Sequence, residues 1–252
     1  GNKNFSMIKK SWVQPRAQSP ALLVVVFWAL SLFGFASELK AQANNSVDAQ
    51  GKKNGAWVKY HEGGKVMRYQ GQFQHGIPVG NWTYLHPNGQ KMAEMRYRSA
   101  TGVCKATEYT EEGNKAAVGV YTGPNQKDSA WTYFRPDGSV LARENYAQGQ
   151  PSGLLVTYYP NGKTADETRY AGGVRNGAFS SFTEDGKLRI RCAYQKGTLD
   201  GLYESFDANG KLRFKGMYSK GLKSGIWIYF EDGRTVRTET YKGGRLTKTD
   251  KR

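Results

Sequence analysis

GLYESFDANGKLRFKGMYSKG, residues 201–221, decides the fold of this chain. Tyr203 and Phe206 are two rings ahead of a turn, Ala208-Asn209-Gly210. Leu212, Phe214 and Tyr218 then mark one face of a strand, with Gly216 in the gap; Arg213 and Lys215 mark the other. Period two with one apolar face is the pattern of a half-buried strand. Asn-Gly between strands is the strongest short-range hairpin signal, because both residues tolerate positive φ. Gly221 closes the phrase three residues after Tyr218.

The phrase repeats. Turn glycines fall at Gly64, Gly89, Gly113, Gly138, Gly162, Gly186, Gly210 and Gly233, at spacings of 23 to 25 residues. A fixed period of this size indicates an array of stacked supersecondary units. A ring lies seven residues before the glycine at Trp57, Trp82, Trp131, Phe179 and Tyr203, and six before it at Trp227. Ala106 and Leu155 are the exceptions. A second ring lies four before it at Tyr60, Tyr109, Phe134, Tyr158, Phe182 and Phe206. These two positions have opposite strand parity, so a bulge or bend is expected between them. After the turn, Leu188, Ile190, Cys192 and Tyr194 are expected on one face, Arg189 and Arg191 on the other. Each such strand ends at a Tyr: Tyr97, Tyr121, Tyr146, Tyr170, Tyr194, Tyr218 and Tyr241, with Phe73 in the first unit. A lone hairpin is marginal in water, so the units must stack. The expected fold is all-β: an elongated array of eight antiparallel hairpins over 51–246, roughly 80 Å long at about 10 Å per unit. A linker at 44–50 precedes it and a basic tail at 247–252 follows.

The first 43 residues read differently. Met7 is a plausible start, and Lys9, Lys10 and Arg16 form a positive region ahead of the uncharged run from Ala21 to Ala36. Ala41-Gln42-Ala43 fits a signal-peptidase site, so export to the periplasm or outer surface is expected, with a product beginning near Asn44. The alternative is an inner-membrane anchor at 21–36, although a spanning helix wants about 20 apolar residues. The chain carries 37 basic and 21 acidic residues, a net of +16. Residues 44–252 keep 32 basic and 20 acidic residues, a net of +12, once Lys3, Lys9, Lys10, Arg16, Lys40 and Glu38 are set aside. That balance favours an anionic partner, an acidic protein or an envelope surface, and export argues against nucleic acid.

The chemistry-bearing residues are largely accounted for by the repeat. Cys104 and Cys192 lie three units apart, roughly 30 Å at two strands per unit, too far for a disulfide. His61 and His86 hold equivalent places in neighbouring units, too far apart for one zinc. They read as exposed turn residues, and His75-Gly76 as a structural pair. Glu111, Glu112, Asp137, Glu184, Asp185 and Asp232 sit where turn geometry already favours them. An opposed-carboxylate glycosidase is the enzyme alternative. No calcium loop, nucleophile motif or phosphate-binding glycine loop is present. The expectation is a non-enzyme with no cofactor, no metal and no small-molecule substrate. The positions that vary around the constant frame are the binding candidates: Arg189, Arg191, Arg213 and Lys215, extended by Arg143 and Arg169 into one basic stripe.

Gly55-Ala56-Trp57-Val58-Lys59-Tyr60, Gly80-Asn81-Trp82-Thr83-Tyr84, Gly201-Leu202-Tyr203-Glu204-Ser205-Phe206 and Gly225-Ile226-Trp227-Ile228-Tyr229-Phe230 carry a resemblance. With the turn Gly and the Tyr-x-x-Gly ending, they resemble the MORN repeat, in particular the bacterial variant found in proteins labelled YwqK-family antitoxins. The likeness spans 51–246. It implies a structural frame built on Trp57, Trp82, Trp131, Trp227, Gly64, Gly89, Gly138, Gly162, Gly186 and Gly210. It implies a protein-binding scaffold, with toxin neutralisation or association with anionic lipid as alternatives. The third unit departs from the pattern, with Cys104 for the leading Gly and Ala106 for the ring, and is expected to be irregular.

Overall fold

The computed structural model describes residues 45–98 and 101–252. The export segment, its cleavage site and the alternative anchor at 21–36 lie outside the described residues. Among the described residues all regular structure is strand. All pairing is antiparallel and runs from hairpin to hairpin along the chain in one sheet. β1 (Gly55–Tyr60) and β2 (Met67–Gln74) form the first hairpin, β3 (Ile77–Leu85) and β4 (Lys91–Tyr97) the second. β5 (Cys104–Tyr109) and β6 (Lys115–Gly123) form the third, β7 (Gln126–Phe134) and β8 (Val140–Ala147) the fourth. The fifth joins the short β9 (Gln150–Pro151) and β10 (Gly153–Tyr158) to β11 (Thr164–Ala171); the sixth is β12 (Val174–Phe182) and β13 (Leu188–Gln195). The seventh joins β14 (Thr198–Leu199) and β15 (Gly201–Phe206) to β16 (Leu212–Ser219). β17 (Leu222–Glu231) and β18 (Arg234–Lys242) form the eighth. β19 (Arg245–Lys251) pairs with β18, so the segment read as a basic tail is an edge strand.

Two turn types alternate. Within a hairpin, Gly89 takes φ 85° and its N–H donates to the His86 carbonyl at 2.9 Å, while His86 N–H donates to the Gln90 carbonyl. The same closure recurs at Gly138, Gly162, Gly186 and Gly210. Between hairpins, two-residue turns such as His75-Gly76, Lys196-Gly197 and Lys220-Gly221 place both residues at positive φ. That twist matches the strands on either side. The third unit is irregular as expected. Arg98 N–H donates to the Val103 carbonyl where other units carry the two-residue turn, and β4 runs against β5 without a register shift.

Each hairpin carries a register shift at the step between the two ring positions. The expected bulge is present, but its extra residue lies on the returning strand. Phe182 faces Leu188 while Ser181 faces Ile190, leaving Arg189 unopposed; Arg213 is left likewise between Leu212 and Phe214. The outgoing strand therefore keeps its alternation, and its rings divide between the two faces. Tyr109 donates to Glu94 at 2.7 Å on one face, and Tyr121 donates to Glu108 at 2.5 Å on the other.

The face carrying the tryptophans holds the core. Trp82, Trp131 and Trp227 are buried, with Ala93, Met95, Cys104, Ala106, Ala117, Ala142 and Cys192. Neighbouring strands leave room for the indoles by placing glycine opposite: Gly71 under Trp82, Gly119 under Trp131, Gly216 under Trp227. The terminal tyrosines pack edge-on, as Tyr121 does on Trp131 at 4.9 Å and Tyr218 on Trp227 at 5.1 Å. Such edge-to-face pairs add to what area burial already contributes. The residues read as a linker fold back on β1. Asn45 bonds Val58 through both ends of its side-chain amide, and Trp57 Nε1 donates to the Ser46 carbonyl. An otherwise open sheet edge is thereby capped.

Candidate binding surface

On the face opposite the tryptophans, the register lines up one row across the sheet. Part of it runs Arg143, Val156, Glu167, Ser180, Arg191, Glu204, Lys215 and Ile228. Arg143, Arg191 and Lys215 thus share a row, as anticipated. Arg169 is on the same face two residues along from Glu167.

The other two arginines do not join them. Strict alternation would put Arg189 with Arg191 and Arg213 with Lys215. The one-residue bulge breaks that parity. Arg189 reaches across to the buried Ser181, donating to its Oγ at 3.1 Å. Ser181 pairs with Ile190, on the tryptophan side. Arg213 lines a hollow of about 440 Å³ with Phe214, Tyr229 and Arg237, again on that side. For the same reason Leu188 pairs with Phe182 and leaves the face of Ile190 and Cys192.

Nor is the remaining row a continuous basic stripe. Arg191 is paired with Glu204 at 2.6 Å across the strands, and the Glu204 side chain is only 12% exposed. Glu167 interrupts the row between Arg143 and Arg191. Among the described residues of this row, Arg143 and Lys215 make no ion pair, although Glu204 lies opposite Lys215. On the same face, Leu202 and Met217 are opposed across β15 and β16, and Ile226 lies on β17 two residues from Ser224, the partner of Met217. They are 47%, 47% and 60% exposed. Composition did not reveal them, because their apolar character shows only when three strands are laid side by side.

The tryptophan face has its own polar network. Lys127 Nζ lies 4.2 Å from the Trp131 ring centre and donates to Tyr133 Oη at 2.7 Å. Tyr133 and Tyr146 share a hydrogen bond, and Tyr146 donates to Glu144. Burial lowers Lys127 below the ordinary lysine range, with Glu108 and Glu144 pulling the other way. Burial first, then Glu108 for Tyr121 and the Tyr146 hydrogen bond followed by Glu144 for Tyr133, push both well above the ordinary phenol range. Lys53 and Lys223 repeat the arrangement over Trp57 and Trp227, at 4.6 and 4.2 Å. These rings are therefore already occupied by the chain's own cations and neighbours.

At the turn edge, the units are tied by side chains. His61 Nε2 donates to the Leu85 carbonyl at 2.9 Å and His86 Nε2 to the Tyr109 carbonyl at 3.2 Å, each reaching into the next unit. Tyr159 does the same to Phe182 through its hydroxyl. His61 and His86 are half-buried ties between units rather than exposed turn residues. His75 sits in a two-residue turn and bonds Asp48 at 2.9 Å. Cys104 and Cys192 are both buried and unbonded to each other, on β5 and β13. Among the described residues no group of three His, Cys, Asp or Glu side chains could hold a metal ion. Among them no helix is long and apolar enough to cross a membrane, which says nothing of strands.

None of the curated proteins matches this chain. Residues 199–220, which run from β14 through β16 to the following turn, match the family model described as MORN repeat variant.

Proposed function

We propose that the array is a non-catalytic, exported scaffold whose face opposite the tryptophans binds an acidic protein. The observation that carries this reading is the division of labour between the two faces. The tryptophan face fills its rings with its own lysines, tyrosines and glycine-backed packing. The opposite face leaves apolar side chains exposed beside the half-buried Lys215. A net of +12 over residues 44–252 favours an acidic partner and raises its encounter rate. Export rests on the apolar run at 21–36 and Ala41-x-Ala43. Toxin neutralisation, which the resemblance implies, requires a cytosolic partner, and that leader sets it aside.

Cross-linking of the native protein in cells, followed by mass spectrometry, tests the reading. The expected result is an acidic protein linked through lysines of this face, from a product beginning near Asn44. Cross-links confined to anionic membrane lipid, or none at all, would overturn it.

A further inference from the structure

The scaffold reading leaves open where on the sheet the partner sits and what it must offer. Leu202 and Met217 are directly opposed across β15 and β16, and Ile226 lies on β17 two residues from Ser224, the partner of Met217, a diagonal neighbour within reach of long side chains. Each is the same-face neighbour, two residues along, of Glu204, Lys215 and Ile228 respectively. Leu222, 52% exposed, adds apolar surface at the end of β17. Single exposed apolar residues are ordinary, but an apolar patch beside charged side chains marks an interaction site.

We propose that this patch on β15–β17 docks a partner segment in which apolar side chains sit beside carboxylates; the proposal rests on the scaffold reading above. The apolar side chains would cover Leu202, Met217 and Ile226, and a carboxylate would meet Lys215. Charge decides the occupant. Arg191 is already neutralised by Glu204 and Lys248 by Asp250, at 2.6 and 2.8 Å. Lys215, which lies opposite Glu204 but makes no ion pair among the described residues, is the cation that borders the patch. A second copy of this chain would bring the same lysine and the same net of +12, which repels.

The test uses the full chain and a synthetic peptide alternating leucine with glutamate, titrated by calorimetry or fluorescence anisotropy. Binding is expected, about tenfold weaker for the triple variant Leu202→Ser, Met217→Ser, Ile226→Ser and clearly weaker for Lys215→Glu. Lys105→Glu, an exposed change of the same charge four hairpin units away from the patch, is expected to bind as the parent does. All substituted side chains lie at least partly on the surface, and an unchanged thermal midpoint checks the fold. Equal binding of a leucine–lysine peptide, equal weakening by Lys105→Glu, unaltered binding by the triple variant, or no binding overturns the proposal. So does a sedimentation-detected dimer abolished by Ile226→Ser, which would make the occupant a second copy. Each of these leaves the broader scaffold reading standing, since that reading fails on the cross-linking result alone.

Discussion

The indole of Trp131 occupies the space that a side chain on Gly119 would need. A β-carbon placed on Gly119 would lie 2.1 Å from Trp131 Cδ2 and 2.2 Å from Cε2. Trp131 itself is fully buried, and its Nε1 donates to the Val120 carbonyl at 3.1 Å. Gly119 has ordinary strand φ, so its role is close approach rather than conformational freedom.

Gly119→Ala is therefore expected to destabilise the array by about 1–3 kcal/mol, the usual range for overpacking a dense core. Gly216→Ala should do the same against Trp227, where the clash distance is 2.2 Å. Urea unfolding followed by tryptophan fluorescence measures both. A change of under about 0.5 kcal/mol, the range of neutral surface substitutions, would refute the packing argument.

Alkali should unfold the array in a particular window. Burial, with nearby acidic groups, pushes Tyr97 and Tyr109 up to about 12 from the ordinary 10.0, and Tyr121, Tyr133 and Tyr146 higher still. A phenol whose pKa rises on folding stabilises the folded state fully below its unfolded value and loses that contribution as the pH climbs through the folded one. Stability should hold to about pH 10 and fall steeply beyond it. Absorbance at 295 nm should show phenolate appearing near the ordinary pKa in guanidinium but later, and together with loss of tryptophan burial, in the native protein. Native titration coinciding with the denatured curve would refute this.

Cys104 and Cys192 should resist thiol reagents. Both are buried, and burial raises Cys192 to about 11, so little thiolate exists at neutral pH. Ellman's reagent is expected to modify neither in the native protein and both in denaturant. Rapid native labelling, or a disulfide on a non-reducing gel, would contradict it.

Much of this was legible in the chain because hairpin chemistry is local. Asn88-Gly89 and Asp137-Gly138 name their turns, and the spacing of Trp57, Trp82, Trp131 and Trp227 names the buried face. The faces of Arg189 and Arg213 were not legible. A bulge adds one residue inside a constant period, so it leaves the repeat length intact while inverting alternation on the turn side of it. Leu188 and Arg189 look like any other alternating pair until the partner strand is known. The pairing of Arg191 with Glu204 was hidden for a related reason: it joins two units, and register between units depends on two-residue turns and shifts at Gly71, Gly119 and Gly216. The lysines over the tryptophans did leave a trace, at four residues ahead of Trp57, Trp131 and Trp227, but only three units carry it.

The Arg191–Glu204 pair supplies the sharpest test of that register. Arg191 Nε and Nη2 both reach Glu204 Oε2, at 2.7 and 2.6 Å. The arginine is largely exposed, so solvent screens the pair and its worth should be about 0.5–1 kcal/mol in a double-mutant cycle with alanine. The single changes should not be equal. Arg191→Ala leaves a carboxylate that is nearly enclosed without its cation, whereas Glu204→Ala leaves an arginine free to enter water. Arg191→Ala should therefore cost more than Glu204→Ala, and raised salt should narrow the gap. Equal single-variant effects with no coupling would mean that Arg191 and Glu204 do not face each other, and the register between the sixth and seventh hairpins would have to be redrawn.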